Sequence, residues 1–366
     1  MVAAQSSVPA RRRPRKATFR RLRVADVQQL CDDAAAISFT VPDEHRSEFA
    51  FAPGQSITMR CNLEGVEYRR TYSICAPAGS APRIGVREVP GGAVSGWLVR
   101  QVRPGDEIEV QPPSGQFAAD PDKACHHVLI AAGSGITPIL SIVASALVHP
   151  DSRVTLIYGN RRANSVMFAD ELADLKDAYG PRMQVIHVLS REARTDELFS
   201  GRLDRHRISA LLRGLVPVQA ADHFWLCGPI GVVTAAQEAL DEHGVDISRV
   251  HAELFYVETT APNQVSHAEP DSSGPVSDVT IVLDGSTSTL ALPRSMPILD
   301  AAQRFRDDLP FACKGGVCGT CRAKITDGAV DMRRNYALEP GEVAADFVLT
   351  CQSYPMTDAL TVDFDA

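Results

Sequence analysis

No window of the 366-residue chain approaches the ~20 consecutive apolar residues that a membrane-spanning helix needs. No apolar stretch follows the N-terminal residues, as the core of a secretory signal would. Residues 1–23 hold no acidic side chain but carry Arg11, Arg12, Arg13, Arg15, Lys16, Arg20, Arg21 and Arg23. The arm 1–17 reads as a disordered basic start. Transit peptides share its acid-free, Arg- and Ser-containing composition, and a basic arm can bind nucleic acid. Nothing after it looks like a nucleic-acid fold, so no such partner is expected. A disulfide framework is missing as well. The nine cysteines are an odd count, and Cys31, Cys61, Cys75, Cys125 and Cys227 stand singly in apolar or motif contexts. A soluble protein of the reducing cytoplasm, with no membrane partner, is expected.

The chain is too long for one ordinary core, and its 45% hydrophobic and 22% charged residues suit a globular multidomain protein. From 18 to 120, short apolar runs (Ala35–Val41, Ser56–Cys61, Arg83–Val89, Glu107–Gln111) alternate with turn signals such as Pro53-Gly54 and Pro104-Gly105. That spacing predicts an antiparallel β-barrel. From 121 to 258 the period changes. The runs His127–Ala132, Val154–Tyr158, Gln184–Leu189 and His223–Cys227 alternate with helical stretches at Pro138–Val148, Met167–Tyr179 and Val232–Glu242, with a loop after the third run. Strand–helix alternation predicts an α/β domain with a parallel sheet. Residues 259–276, rich in Pro, Ser and Gly, read as a linker. In 277–366 a hairpin (Val279–Leu283, Thr289–Leu292) and a helix (Pro297–Arg306) precede a cysteine-rich loop.

That loop reads Cys313-x4-Cys318-x2-Cys321, with Cys351 well beyond it. A plant-type [2Fe–2S] cluster takes ligands at this spacing. Structural zinc is the alternative, but it usually uses paired C-x2-C knuckles and only one exists here. In the barrel, Arg70-Thr71-Tyr72-Ser73 offers an arginine for a phosphate, a ring to stack on an isoalloxazine and a hydroxyl for flavin N5. Gly91-Gly92-Ala93-Val94-Ser95 can open a helix whose free N–H groups cradle a pyrophosphate; a plain turn before a helix is the alternative.

Gly133-Ser134-Gly135-Ile136-Thr137-Pro138 lies between strand and helix, where glycines let a dinucleotide approach the backbone. Pro138 replaces the third glycine of the usual fingerprint, so an ordinary connecting loop also fits. Cys227-Gly228-Pro229 closes a later strand, where a small polarizable Cys can sit by a nicotinamide. No acid follows the second strand to bind a ribose 2′-hydroxyl. Arg161, Arg162, Ser190 and Arg191 stand there instead, which favours NADPH, with NADH still possible.

In this order, the three motif groups resemble the ferredoxin–NADP reductase-like reductases of multicomponent oxygenases. Leu309-Pro310-Phe311-Ala312, Asn335-Tyr336-Ala337-Leu338-Glu339-Pro340, Cys351-Gln352 and the Val362-Asp363-Phe364-Asp365-Ala366 end are similar to the reductase subunits of phenylacetyl-CoA epoxidases. The resemblance implies an FAD barrel, a nucleotide domain and a β-grasp-type ferredoxin domain. It implies that Arg70, Tyr72, Ser73, Gly92, Val94 and Ser95 hold FAD. By the same resemblance Gly133, Gly135 and Thr137 hold the nucleotide, with Cys227 beside its nicotinamide, and Glu253 and Phe255 meet the opposite flavin face. Relatives often carry Met soon after Cys-Gly-Pro, whereas Ile230-Gly231 follows here, which bears on the shape of the nicotinamide pocket.

Electrons would pass from NADPH through FAD and the cluster to a separate oxygenase, a di-iron enzyme that epoxidises phenylacetyl-CoA. The alternative partner is a Rieske-type ring or ketosteroid hydroxylase, with NADH as donor. No Glu-x-x-His motif of a di-iron bundle occurs in this chain. Asp307, Asp308 and Asp331 form a candidate acidic docking face, though a charge run is usually only solvated surface.

Overall fold

The computed structural model describes residues 19–256, 274–283, 285–306 and 308–366, so the expected basic arm, most of the expected linker and Asp307 lie outside the described residues. The first unit holds β1 (Arg20–Cys31), β2 (Ala34–Thr40), β3 (Ser56–Leu63), β4 (Val66–Ser73), β5 (Arg83–Arg87), α1 (Ala93–Arg100) and β6 (Glu107–Val110). Its antiparallel sheet runs β4-β3-β6-β1-β2-β5, and a bridge between Ile74 and Ile84 joins the two ends. Strand β2 shows why it folds so. Alternate side chains point to opposite faces, so Ala35, Ile37 and Phe39 fill the barrel while Ala34 and Ala36 pack into the core of the next unit.

That second unit holds β7 (His126–Ala132), α2 (Ile136–Ala146), β8 (Arg153–Asn160), α3 (Ala169–Tyr179), β9 (Met183–Leu189), α4 (Arg205–Leu215), β10 (His223–Pro229), α5 (Ile230–Glu242) and β11 (Val250–Tyr256). The sheet is parallel throughout, in the order β11-β10-β7-β8-β9. The order reverses at β7, so a ligand crevice opens at the C-terminal ends of β7 and β10. Helix α4 occupies part of the expected loop. Asp204 caps it by accepting from Arg207 N (2.8 Å), and Ile208, Leu211 and Leu212 bury its apolar stripe.

The third unit holds β12 (Val276–Leu283), β13 (Ser286–Pro293), α6 (Ile298–Ala302), β14 (Arg322–Asp327), β15 (Val330–Met332), α7 (Pro340–Ala344), β16 (Phe347–Leu349), β17 (Ser353–Pro355) and β18 (Ala359–Asp363). The main sheet runs β13-β12-β18-β14-β16, with β12 and β18 parallel and the other pairs antiparallel. First and last strands of the unit lie side by side, which is the β-grasp arrangement. Helix α6 stops short of the expected Arg306. Arg306 is held by Ser288 (2.7 Å) and Asp308 (2.7 Å), which turns the chain towards Leu309-Pro310 and the cysteine loop.

Candidate functional site

The loop Gly133-Ser134-Gly135 leaves β7 directly against the end of β10. A Cβ on Gly135 would stand 2.3 Å from the Cys227 carbonyl oxygen, so only glycine permits this approach. Thr137 is fully buried, and its hydroxyl donates to the Ser134 carbonyl at 3.1 Å, fixing the loop's shape. Above it lies Gly85 of the barrel, where a Cβ would meet the Thr137 methyl at 2.6 Å.

Polar ties hold the barrel on this crevice. Ser141 Oγ donates to the Ala76 carbonyl (2.7 Å), Ala78 N donates to Ser145 Oγ (2.9 Å), and Arg83 pairs with Glu171 (2.9 Å). Arg87 reaches the Ser165 carbonyl and pairs with Asp33 at 3.3 Å. Arg83 and Arg87 were not legible as interdomain ties, because single arginines in a short apolar strand form no motif.

Across the crevice, Ser73 at the end of β4 donates to Glu253 Oε2 at 3.1 Å. Glu253 lies on β11 in register with Cys227 on β10. Removal from water pushes the Glu253 carboxyl up to about 7, with the Ser73 hydrogen bond pulling the other way. Burial, and then the nearby Glu253, raise the Cys227 thiol well above its usual range, so it stays a neutral, polarizable wall. Phe255 follows two residues beyond Glu253, half-buried against the core under the crevice. The structure thus brings Ser73, Cys227 and Glu253 together from three strands.

Arg70 and Tyr72 pair with Met59 and Ile57 of β3, near the same end of β4. Arg70 donates to the Arg69 carbonyl at 2.7 Å and lies over the Tyr68 ring. Burial raises the Tyr72 phenol beyond its ordinary range, so it stays neutral. Helix α1 begins after Gly92 without a side-chain cap, which leaves its first N–H groups available to a phosphate. Val94 packs into the barrel core. Ser95 Oγ accepts from Val89 N (3.0 Å) and donates to the Gly92 carbonyl (3.2 Å), so its side chain shapes the turn.

At the far rim, Ser190 N and Arg191 N donate to the carbonyls of Asn160 and Arg161, both at 2.8 Å. These bonds set the loops after β8 and β9 side by side. Arg161, Arg162 and Arg191 are exposed there, with Ser190 partly covered.

In the third unit the three loop cysteines and Cys351 fall into two neighbouring pairs. Cys313 lies beside Cys318, and Cys321 beside Cys351. Among the described residues no three His, Cys, Asp or Glu side chains converge on one point, as a single ion would need. Sulfurs set as two neighbouring pairs suit a [2Fe–2S] cluster, which Cys313, Cys318, Cys321 and Cys351 would hold, better than a single zinc ion. Cys321 and Cys351 are buried, whereas Cys313 and Cys318 are partly exposed. Gly315 N donates to Cys313 Sγ at 3.3 Å, and Gln352 Nε2 lies 3.7 Å from Cys351 Sγ. Hydrogen bonds of this kind tune a cluster's potential.

Family models agree with this arrangement along the chain. An oxidoreductase FAD-binding domain matches residues 21–118, an oxidoreductase NAD-binding domain 129–238, and a 2Fe-2S iron-sulfur cluster binding domain 281–356. The chain is 39% identical to a 1,2-phenylacetyl-CoA epoxidase subunit of Escherichia coli (strain K12), over 95% of this chain and 98% of that one. The chain belongs to the flavin and iron–sulfur oxygenase reductases.

Another relative of this reductase is the ferredoxin reductase component of 3-ketosteroid-9-alpha-monooxygenase from Rhodococcus rhodochrous, 33% identical over 94% of this chain and 96% of that one. The solved structure of phthalate dioxygenase reductase shares its fold, with a TM-score of 0.60 at 23% identity over 94% of this chain and 98% of that one.

The reductase binds FAD, a pyridine nucleotide and a [2Fe–2S] cluster. When bound, the flavin accepts one hydride, two electrons at once, and the cluster carries electrons singly. Of the expected acidic face, Asp308 pairs with Arg306 at 2.7 Å and Asp331 with Arg333 at 3.1 Å. No helix among the described residues is long and apolar enough to cross a membrane.

Proposed function

We propose that this reductase draws its electrons from NADPH and delivers them to a separate di-iron oxygenase acting on phenylacetyl-CoA. The similarity to the Escherichia coli epoxidase component supports this partner, since it covers 95% of this chain and so spans all three units. The weaker likeness to the ketosteroid monooxygenase component names the competing partner; NADH is the donor in that alternative reading. NADPH rests on Arg161, Arg162, Ser190 and Arg191, exposed or partly exposed on two adjoining loops.

Within this reading the domains span 18–120, 121–258 and 277–366. Ser73, Cys227 and Glu253 frame the flavin–nicotinamide contact, with Phe255 on the same strand end as Glu253. Arg70, Tyr72, Gly92, Val94 and Ser95 hold FAD, and Gly133, Gly135 and Thr137 shape the nucleotide loop. Cys313, Cys318, Cys321 and Cys351 hold the cluster. A cytoplasmic location fits the nine cysteines, none of which is in a disulfide.

Reconstitution with purified oxygenases tests the partner. Product should form with a phenylacetyl-CoA epoxidase oxygenase and not with a ketosteroid hydroxylase terminal component. The reverse pattern would overturn the assignment.

A further inference from the structure

Phe311 lies two residues before Cys313, within reach of cations from two different units. The Arg69 guanidinium of β4 stands 4.6 Å from its ring centre. Lys314 Nζ of the cysteine loop stands 4.8 Å from the same centre. Both cations are held in place beforehand. Arg69 is only 11% exposed, pairs with Glu67 at 3.0 Å and lies over the Phe19 ring. Lys314 pairs with Asp300 (2.9 Å) and donates to Gln303 (2.6 Å), and its carbonyl accepts from Gln352 (2.9 Å). Its backbone is left-handed, with φ at 52°, a conformation these side-chain anchors hold.

We propose that the Arg69–Phe311–Lys314 stack is the docking contact that sets the flavin-to-cluster gap. Arg69, Thr71 and Ser73 share one face of β4, because alternate residues of a strand point the same way. Four residues of strand span ~13 Å, so Arg69, beside which the ring seats the cysteine loop, lies about that far along β4 from Ser73. The sulfur pair nearest the ring in sequence, Cys313 and Cys318, is also the partly exposed one. Because both units belong to one chain, docking is intramolecular, and a contact of modest strength holds a large docked fraction. Desolvated cation–π pairs have that strength. Electron tunnelling falls steeply with distance, so a looser dock slows transfer without altering either redox centre. Arg69 and Phe311 are therefore positioning residues; neither touches the reacting atoms.

The inference rests on the flavin-to-cluster order but not on the partner's identity. Anaerobic stopped-flow mixing with NADPH separates the two steps, flavin bleaching first and cluster reduction second. Phe311→Ala and Arg69→Ala should each slow the second phase about tenfold. Flavin bleaching and the cluster's visible and EPR spectra should stay as in the wild type, and Phe311→Trp should restore the rate. Loss of the flavin phase in the wild type would count against the electron order itself. Arg69 lies in the barrel, so its variant leaves the cysteine loop intact and guards against a folding artefact at Phe311. A wild-type second phase in both variants would overturn the proposal. So would slowing in Phe311→Ala alone, which would confine the ring's role to the loop.

Discussion

Ser73 Oγ donates to Glu253 Oε2 across 3.1 Å, joining the last residue of a barrel strand to the outermost strand of the nucleotide sheet. The carboxyl is poised near pH 7 because it is withdrawn from water, and its one hydroxyl donor only partly offsets that cost. It stands in register with Cys227, the residue proposed to sit beside the nicotinamide.

Glu253 should impose a pH dependence on flavin reduction. Below about pH 7 it holds a proton; above, it is anionic. The anion stabilises the positive charge that hydride loss leaves on a nicotinamide, so the rate should rise through this pH. Glu253→Gln should flatten the profile and lower the high-pH rate about ten- to a hundredfold. Stability carries the opposite sign. The folded form binds this proton more tightly than an ordinary carboxyl at 4.5, so stability should fall as pH rises from there to about 7. Thermal unfolding across that window should show the slope in the wild type and lose it in the Gln variant.

Gly135→Ala should destabilise the protein by about 1–3 kcal/mol and weaken nucleotide binding, since its Cβ would meet the Cys227 carbonyl at 2.3 Å. Gly214 in α4 faces open space, and Gly214→Ala should instead stabilise by about 0.5–1 kcal/mol. Denaturant melts of the two variants provide the comparison. Equal effects would show that the Gly135 contact carries no cost.

Arg161→Ala combined with Arg191→Ala should lower the NADPH-to-NADH ratio of kcat/KM about ten- to a hundredfold, through loss of charge-assisted bonds to a phosphate. Steady-state kinetics with both nucleotides measures it. An unchanged ratio would remove the phosphate role from these loops.

Some of this was legible because the chemistry demands local spacing. Cys313, Cys318 and Cys321 must wrap one face of a small cluster, so their intervals announce it. Gly135 was legible as a glycine that something must approach, but not for its observed neighbour, the backbone of Cys227. The Ser73–Glu253 bond joins residues 180 apart, and only the family resemblance linked them. Strands β15, β16 and β17 have three residues each, too short for an alternating pattern to emerge. The ion pairs of Asp308 and Asp331 were not legible, because their partners Arg306 and Arg333, two residues away, form no motif with them. Phe311 read as a motif residue, and its stacking on Arg69 depends on how two distant units meet.

The central claim is that electrons enter at the flavin and leave through the cluster. Cytochrome c reduction by Cys318→Ser, followed beside its flavin bleaching under anaerobic NADPH, tests it most directly. The variant should bleach its flavin at the wild-type rate and fail to reduce cytochrome c. Cytochrome c reduction equal to the wild type would show that electrons leave from the flavin, and would contradict the claim.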